Sequence, residues 1–429
     1  MISDSSGNLK AQSAGKSQKG KLNTMCSSNP RVLMQIRPDY LTRLGGDAIQ
    51  ATKTSEYLKK LRVHVDLSTN PQEDLSDYDI VHLFNVTRVD ETFEYLKNAV
   101  TQQKPVVFST IYWNSEEYEA NLSVFLKRPT CTGRIRNLSQ AKDNLKHLKK
   151  HSTLALSDIL LPNSASERDL LVRDFGLGDK DFLIVPNAVD LSFEHASREQ
   201  FVRTHGISDF VLCAARIELR KNQLSLIRAV ADLKIPLVLI GDCFEPEYLG
   251  ACKGAADANV RFIPSLSQID LASAYKAARV HVLASWFETP GLASLEAALA
   301  GCNIVSTDRG SAKEYFGESA WYCDPTDINS IRLAVSSAFR AEKTAELKEH
   351  VRRNFTWESA AEMTLQAYKR VLDGKAQRRS SEALSRLMSY VIESEALVEQ
   401  FELYSYDLAQ FKNKITLASL RQMVRRLLR

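Results

Sequence analysis

The side chains best placed to do chemistry lie in three short loops of the chain's second half. Arg216 and Lys221, in AARIELRKNQ, stand five residues apart between an apolar run and a helical one. Two cations at the carboxyl end of a strand, just ahead of a helix start, suit a polyanion, although lysine and arginine are also ordinary loop residues. In SWFETPGLASLEAALAG, Glu288 sits in a Thr-Pro-Gly turn and Glu296 lies inside the helix that follows. Backbone amides around Gly291 and Leu292 carry the positive end of that helix's dipole. Gly291 has no side chain to block a close-approaching phosphate. A carboxylate such as Glu296 can accept both hydroxyls of a ribose, and one such as Glu288 can bind sugar hydroxyls. Equally, Glu288 can cap the helix and Glu296 can lie on its surface. The third loop, STDRGSAKEYFG, offers a turn at Asp308 and Gly310 and a carboxylate, Glu314, that starts another helix; alone, this is a capping arrangement.

Positioning such loops requires a sheet whose strands end together. Apolar runs of strand length recur along the chain: RVLMQI, VHVDLS, DIVHLFN, PVVFSTI, DILLPNS and FLIVPNAVD, then FVLCAAR, PLVLIGD, VRFIPS, VHVLAS and NIVSTD. Helical or loop segments separate them, so an α/β architecture with parallel strands and right-handed crossovers is expected. The rhythm restarts after a polar connection near Pro186 to Phe210, which implies two Rossmann-like doubly wound domains facing a cleft. Open sheets of this kind bind ligands beyond the carboxyl ends of their strands. The expected division is a leader over residues 1–29, domains over 30–185 and 186–355, a helix crossing back over 356–374, and a helical basic tail over 375–429. The segment from Asn137 to His151 is expected to be helical.

Composition agrees with this plan. The chain has 429 residues, 44% of them hydrophobic, and a net charge of +4. Its seven cysteines are scattered singly, which points to a reducing compartment rather than a disulfide framework. No Cys/His grouping has zinc spacing, and no metal site is expected. No apolar run is long enough to span a membrane, and the leader has no hydrophobic core region, so a cytoplasmic location is expected.

Together the three loops resemble those of the GT-B glycosyltransferases of family four. The resemblance runs through RIELRKNQ, FETPGLASLEAALAG with its Glu-seven-residues-Glu spacing, STDRGSAKEYFG and FTWESAAEMTLQAY, with IVPNAVD similar to the interdomain signature. It spans Arg31 to Leu372. It implies retaining transfer of a hexose from a UDP- or GDP-linked sugar to a glycan or lipid-linked acceptor, with no metal and no cofactor. By this resemblance Arg216 and Lys221 hold the diphosphate, and Glu288 contacts the transferred sugar near its reacting carbon. Glu296 binds the ribose, and the amides of Gly291 and Leu292 face the phosphates. Gly46 belongs to the glycine loop that closes on the donor, and the backbone near Ile263 meets the nucleobase. Asn85, Tyr112 and Asn114 are the acceptor-side candidates. Tyr112, Trp113 and Asn114 stand where many relatives carry a histidine. His82 reads as a structural strand residue.

Two alternatives share the fold: a non-catalytic nucleotide-sugar-binding or scaffold protein, and a sugar-nucleotide epimerase or phosphorylase. A basic stretch (Arg134, Arg136, Lys142, Lys146, Lys149, Lys150) and a tail whose charges from Leu408 to Arg429 are all positive could hold the chain on an anionic membrane surface. A solvated helix face explains them equally well. Nucleic acid is not an expected partner, because the overall charge is nearly balanced and no aromatic residues interleave with the basic stretch.

Overall fold

The computed structural model describes residues 29–43, 45–125, 134–374 and 381–404. The expected leader up to residue 28 and the basic helix from Leu408 lie outside the described residues, as do the side chains of Arg134 and Arg136.

Two parallel sheets form the core. The first has β1 (Arg31–Gln35), β2 (His64–Ser68), β3 (Ile80–Phe84), β4 (Val106–Ser109) and β5 (Ile159–Leu161), in the order β2-β1-β3-β4-β5. The second has β6 (Val211–Ala214), β7 (Leu237–Ile240), β8 (Val260–Ile263), β9 (Val280–Leu283), β10 (Asn303–Thr307) and β11 (Trp321–Cys323), in the order β11-β10-β9-β6-β7-β8. Central strands such as Ile80–Phe84 and Val280–Leu283 are buried along their whole length. Helices cover both faces of each sheet, which is why these strands read as unbroken apolar runs rather than alternating ones.

The chain leaves β6 towards β7 on one side and leaves β9 towards β10 on the other. The loops after β6 and β9 therefore diverge from adjacent strand ends and open a crevice at the point where strand order reverses. Those two loops carry Lys221 and Glu288.

Three elements differ from expectation. FLIVPNAVD forms no strand; beside β5 it makes a bridge at Phe182, with Leu183 and Val185 N–H donating to the Leu160 and Pro162 carbonyls at 3.0 and 2.9 Å, and further on Val189 forms an isolated bridge with Thr356. Pro186 lacks the N–H a ladder needs, and the Asn187 amide is taken by the Tyr315 hydroxyl at 2.8 Å. Strand β11 was not expected, because WYC is only three residues long. The helix expected over Asn137 to His151 is longer, Arg134–Leu156.

The Val189–Thr356 bridge lays the two passages of the chain between domains side by side. The helix Trp357–Leu372, capped by the Thr356 side chain, then packs on the helix Gly46–Lys60 of the first domain. Tyr368 of that helix bonds Nδ1 of His82 at 2.7 Å, and Ser109 meets its Nε2 at 2.9 Å. Burial pushes the His82 pKa down to about 3, so the ring is a neutral core group.

The helix Ser381–Tyr404 packs on Arg134–Leu156. Between them Lys149 is buried, bonded to Asp90 at 3.0 Å and Glu395 at 2.6 Å. Lys149 is thus not available to a lipid surface, a correction to the basic stretch as read from sequence. Lys142 and Lys146 do lie on the exposed face. Among the described residues no helix is long and apolar enough to cross a membrane.

Candidate functional site

The loop after β6 ends in a short 3-10 turn, Leu219–Lys221, closed by Asn222 in the left-handed region. The Asn222 amide donates to the carbonyls of Ala284 at 3.1 Å and Pro325 at 2.9 Å, tying this loop to the one after β9. Trp286 N–H adds a bond to the Arg220 carbonyl at 2.9 Å. The result brings Lys221 Nζ to 2.5 Å from Glu288 Oε1, with both side chains largely buried. Arg220 Nη1 stands 4.0 Å from the same oxygen.

The third loop fixes the backbone of Glu288. Its N–H donates to the Arg309 carbonyl at 3.2 Å, and its carbonyl accepts from Ser311 N–H at 3.1 Å. Gly310, at φ +111°, makes this possible: a Cβ there would lie 2.0 Å from the Glu288 carbonyl oxygen. Burial alone would push the Glu288 carboxyl up; Lys221 and Arg220 outweigh it and hold the group below its ordinary value, so it is ionised.

The helix Leu292–Ala300 starts at Gly291, whose φ of +87° suits glycine. Glu296, partly buried, accepts the Tyr275 hydroxyl at 3.0 Å. Burial pushes its pKa up to about 7, with the Tyr275 bond opposing and the charge of Asp190 adding. It is therefore neither a simple cap nor a freely solvated surface group. Ile263 ends β8, two strand positions from β6, and its carbonyl accepts from Gly241 N–H at 3.1 Å.

Across the cleft, Gly46 opens the helix Gly46–Lys60, and a Cβ built on it would lie 3.7 Å from the Leu292 side chain. The starts of two helices, one from each domain, therefore meet. The Gly46 loop is held by Arg37, which is buried and bonds Asp47 at 2.8 Å, Asp39 at 2.6 Å and the Arg43 carbonyl at 2.5 Å. Asn85 joins this network through Asp47 at 3.0 Å.

Tyr112 and Asn114 lie elsewhere: both donate to Asp174 Oδ2, at 2.8 and 3.0 Å. Between them Trp113 reaches the second domain and stacks on Phe287, with centroids 5.0 Å apart and planes at 14°. Glu167, buried nearby, receives Tyr112 N–H and Asn163 N–H, each at 2.7 Å, and the Thr110 hydroxyl.

The structure thus joins Lys221, Glu288, Gly291, Leu292 and Gly46 around one cleft. Arg216 is outside the ion pair: its side chain is 39% exposed and meets Glu218 at 3.3 Å. Sequence reasoning missed Arg220, Phe287 and Arg37. The signal for Arg220 was its position beside Lys221, and that for Phe287 its position beside Glu288. Glu314 does cap a helix, but one in the other domain: it accepts Ala165 N–H at 2.9 Å and Ser166 N–H at 2.7 Å.

Comparison with known proteins agrees with this architecture. Residues 198–354 match the family described as Glycosyl transferases group 1. Glycogen synthase of Mycobacterium tuberculosis is 28% identical over 236 residues, covering 52% of this chain and 56% of that protein. The chain thus spans about half the length of this curated relative. Sucrose-phosphate synthase from Thermosynechococcus elongatus superposes with a TM-score of 0.64 at 17% identity, over 81% of this chain and all of that one. Anabaena HepE, solved with UDP and glucose, superposes at 0.62 with 14% identity, over 80% of this chain and all of that one. The fold is that of the GT-B glycosyltransferases, with two Rossmann-like domains and a helical C-terminal region.

Proposed function

We propose that this chain, whose second half carries a glycosyl transferases group 1 domain on a GT-B fold, moves a hexose from a nucleotide-diphosphate sugar to a glycan or lipid-linked acceptor. The observation that carries the reading is the buried Lys221–Glu288 pair, set at the strand-order reversal and facing Gly46. The solved structure of Anabaena HepE in complex with UDP and glucose is consistent with it.

Lys221 and Glu288 neutralise each other as an ion pair. A bound donor supplies each with a better partner: the diphosphate takes the ammonium, and sugar hydroxyls donate to the carboxylate. As the anomeric C–O bond breaks, its electron pair moves onto the departing phosphate oxygen. Lys221, Arg220 and the amides of Gly291 and Leu292 meet that growing charge, with Arg216 reaching in from the rim. Preset cations and amides stabilise it more than they stabilise the bound donor. The acceptor oxygen attacks from the face the diphosphate leaves and passes its proton to a phosphate oxygen, so configuration is retained. These groups supply the charge stabilisation that a metal would otherwise give, and the reading needs none. Glu296 accepts the ribose hydroxyls, and the base lies towards Ile263 at β8.

The basic tail in the sequence and the exposed Lys142 and Lys146 support a position at the cytoplasmic face of an anionic membrane, in polysaccharide or glycolipid assembly.

The test is a thermal-shift panel of UDP-, GDP- and ADP-sugars, followed by analysis of products from the donor that binds. A donor that binds the native state raises its apparent stability by mass action. Transfer with retained anomeric configuration is expected. Binding without transfer to any of a broad set of glycan and lipid acceptors would instead favour a binding protein.

A further inference from the structure

We propose that Trp113 and Phe287 form the acceptor subsite, and that the acceptor group entering it is a carbohydrate ring stacked on these aromatic faces. The inference rests on the transferase reading above and specifies its acceptor.

Phe287 is the residue before Glu288, so its ring stands at the edge of the reaction site. Arg220 holds it there, with its guanidinium 5.1 Å from the ring centroid and a bond from Nη1 to the Phe287 carbonyl at 3.4 Å. Trp113 comes from the other domain. Its neighbours Tyr112 and Asn114 are both clamped to Asp174, so the backbone on each side of the indole is fixed and the ring is projected across the cleft. Tyr118 flanks the stack, with its centroid 6.2 Å from Trp286 and 6.5 Å from Phe287.

The composition of this seam says what it receives. Trp113, Tyr118, Trp286 and Phe287 are all partly exposed, whereas the domain cores beneath are built largely of aliphatic residues. Flat faces with a polar edge bind ligands that are apolar on one face and hydroxylated at the rim, which describes a pyranose. An alkyl chain would gain as much from an aliphatic groove.

Outside the seam, Arg309 meets Glu117 through a two-pronged ion pair at 2.9 and 3.0 Å and also meets Asp308 and Asp324, so a charge network spans the two domains beside it. A sugar ring replacing Phe287 against the Trp113 face exchanges one stacked partner for another beside Glu288.

The experiment uses the full chain loaded with whichever of UDP, GDP or ADP gives the largest thermal shift. Saturation-transfer NMR then probes D-glucose, D-mannose, maltose and myo-inositol, with n-octanol as the acyclic comparator. Saturation of ring C–H protons is expected for at least one cyclic probe and not for octanol. Trp113→Ala should weaken that probe about tenfold or more, while Trp113→Phe, which keeps a stacking face, stays within about threefold. Nucleotide affinity should not change in either variant. The proposal is overturned if no cyclic probe is contacted, if octanol is contacted equally, if Trp113→Ala leaves the contact intact, or if Trp113→Ala also loses the nucleotide. Absence of any nucleotide shift in the wild type is a separate result, which removes the transferase reading and this subsite with it.

Discussion

Lys221 Nζ lies 2.5 Å from Glu288 Oε1, and the two side chains come from loops that leave adjacent strands in opposite directions. Among the described residues of the second domain, the pair is where opposite charges come this close with both side chains largely buried. Each charge is costly to leave alone.

Glu288→Ala leaves the Lys221 ammonium buried and unpaired, and should lower stability by about 3–5 kcal/mol. Adding Lys221→Met to it should recover most of that loss, which a double-mutant cycle by chemical denaturation measures. The sign of the pH dependence follows from the depressed Glu288 carboxyl. Its stabilising contribution is present above the ordinary value of 4.5 and is lost as the pH falls through the lower folded value. Wild type and Glu288→Ala should therefore converge in acid. For catalysis, Glu288→Gln should cut kcat by about 100-fold or more while donor affinity changes little. Unchanged turnover in this variant would remove Glu288 from the reaction.

A second pH effect has the opposite sign. The Glu296 carboxyl is pushed up to about 7, so its protonated form is favoured in the folded chain; that contribution is fully present below the ordinary value of 4.5 and lost as pH rises through about 7. Ribose hydroxyls donate better to the ionised form. Affinity for a nucleotide sugar, whose diphosphate does not titrate in this range, should rise about tenfold from pH 6 to pH 8. Glu296→Gln should flatten the profile. Tyr275→Phe removes a hydroxyl that holds the carboxyl down, and should move the midpoint upward. Isothermal titration at several pH values reads all three; a flat wild-type profile would show that Glu296 does not meet the ribose.

The parts of the fold legible in sequence were those governed by local pattern. Buried parallel strands must be unbroken apolar runs, so the strands from β1 to β10 announced themselves. FLIVPNAVD is equally apolar, yet its pairing beside β5 stops after Val185: Asn187 N–H goes to the Tyr315 hydroxyl and Val189 N–H to the Phe355 carbonyl. Both partners lie more than a hundred residues later in the chain. At the site, Glu288 and Lys221 were legible as types in loops, but their pairing depends on the order in which β6 and β9 lie in the sheet. The Trp113–Phe287 stack joins two domains, and no spacing within either one encodes it. Arg37 passed unremarked because Asp47, which it meets along with Asp39, reaches it only once the helix Gly46–Lys60 is in place.

Gly310 tests how the carboxylate is aimed. Gly310→Ala would place a Cβ 2.0 Å from the Glu288 carbonyl oxygen at a φ of +111°, which must push the two loops apart. The left-handed backbone alone costs about 1–3 kcal/mol, and misplacing a reacting group by about an ångström can cost a further hundredfold in rate. Activity should therefore fall by more than stability accounts for. A variant with wild-type kcat would mean that the loop after β10 does not position Glu288.

Glu314 sets how the domains meet. Its carboxylate satisfies the first amides of the helix Ala165–Phe175, beside the Ser164 cap, from the other side of the cleft. Carboxylates at helix starts gain both from free N–H donors and from the helix dipole. Because Glu314 is exposed, its loss should cost only about 0.5–1 kcal/mol. The larger effect should be on geometry. Tyr315, the next residue, donates to the Asn163 carbonyl at 2.6 Å and accepts from Asn187 N–H at 2.8 Å, and Asn187 in turn bonds the Thr289 carbonyl at 3.0 Å, next to Glu288. Releasing Glu314 frees one end of a chain of contacts that runs to the site. Glu314→Ala should expand the molecule measurably by small-angle scattering and raise KM for the donor, with the thermal transition nearly unmoved. Glu314→Gln keeps one acceptor oxygen but not the charge, and should fall between Ala and wild type. If both variants scatter as wild type does, the contact caps a helix and no more, and closure of the cleft must be set by Gly46 against Leu292.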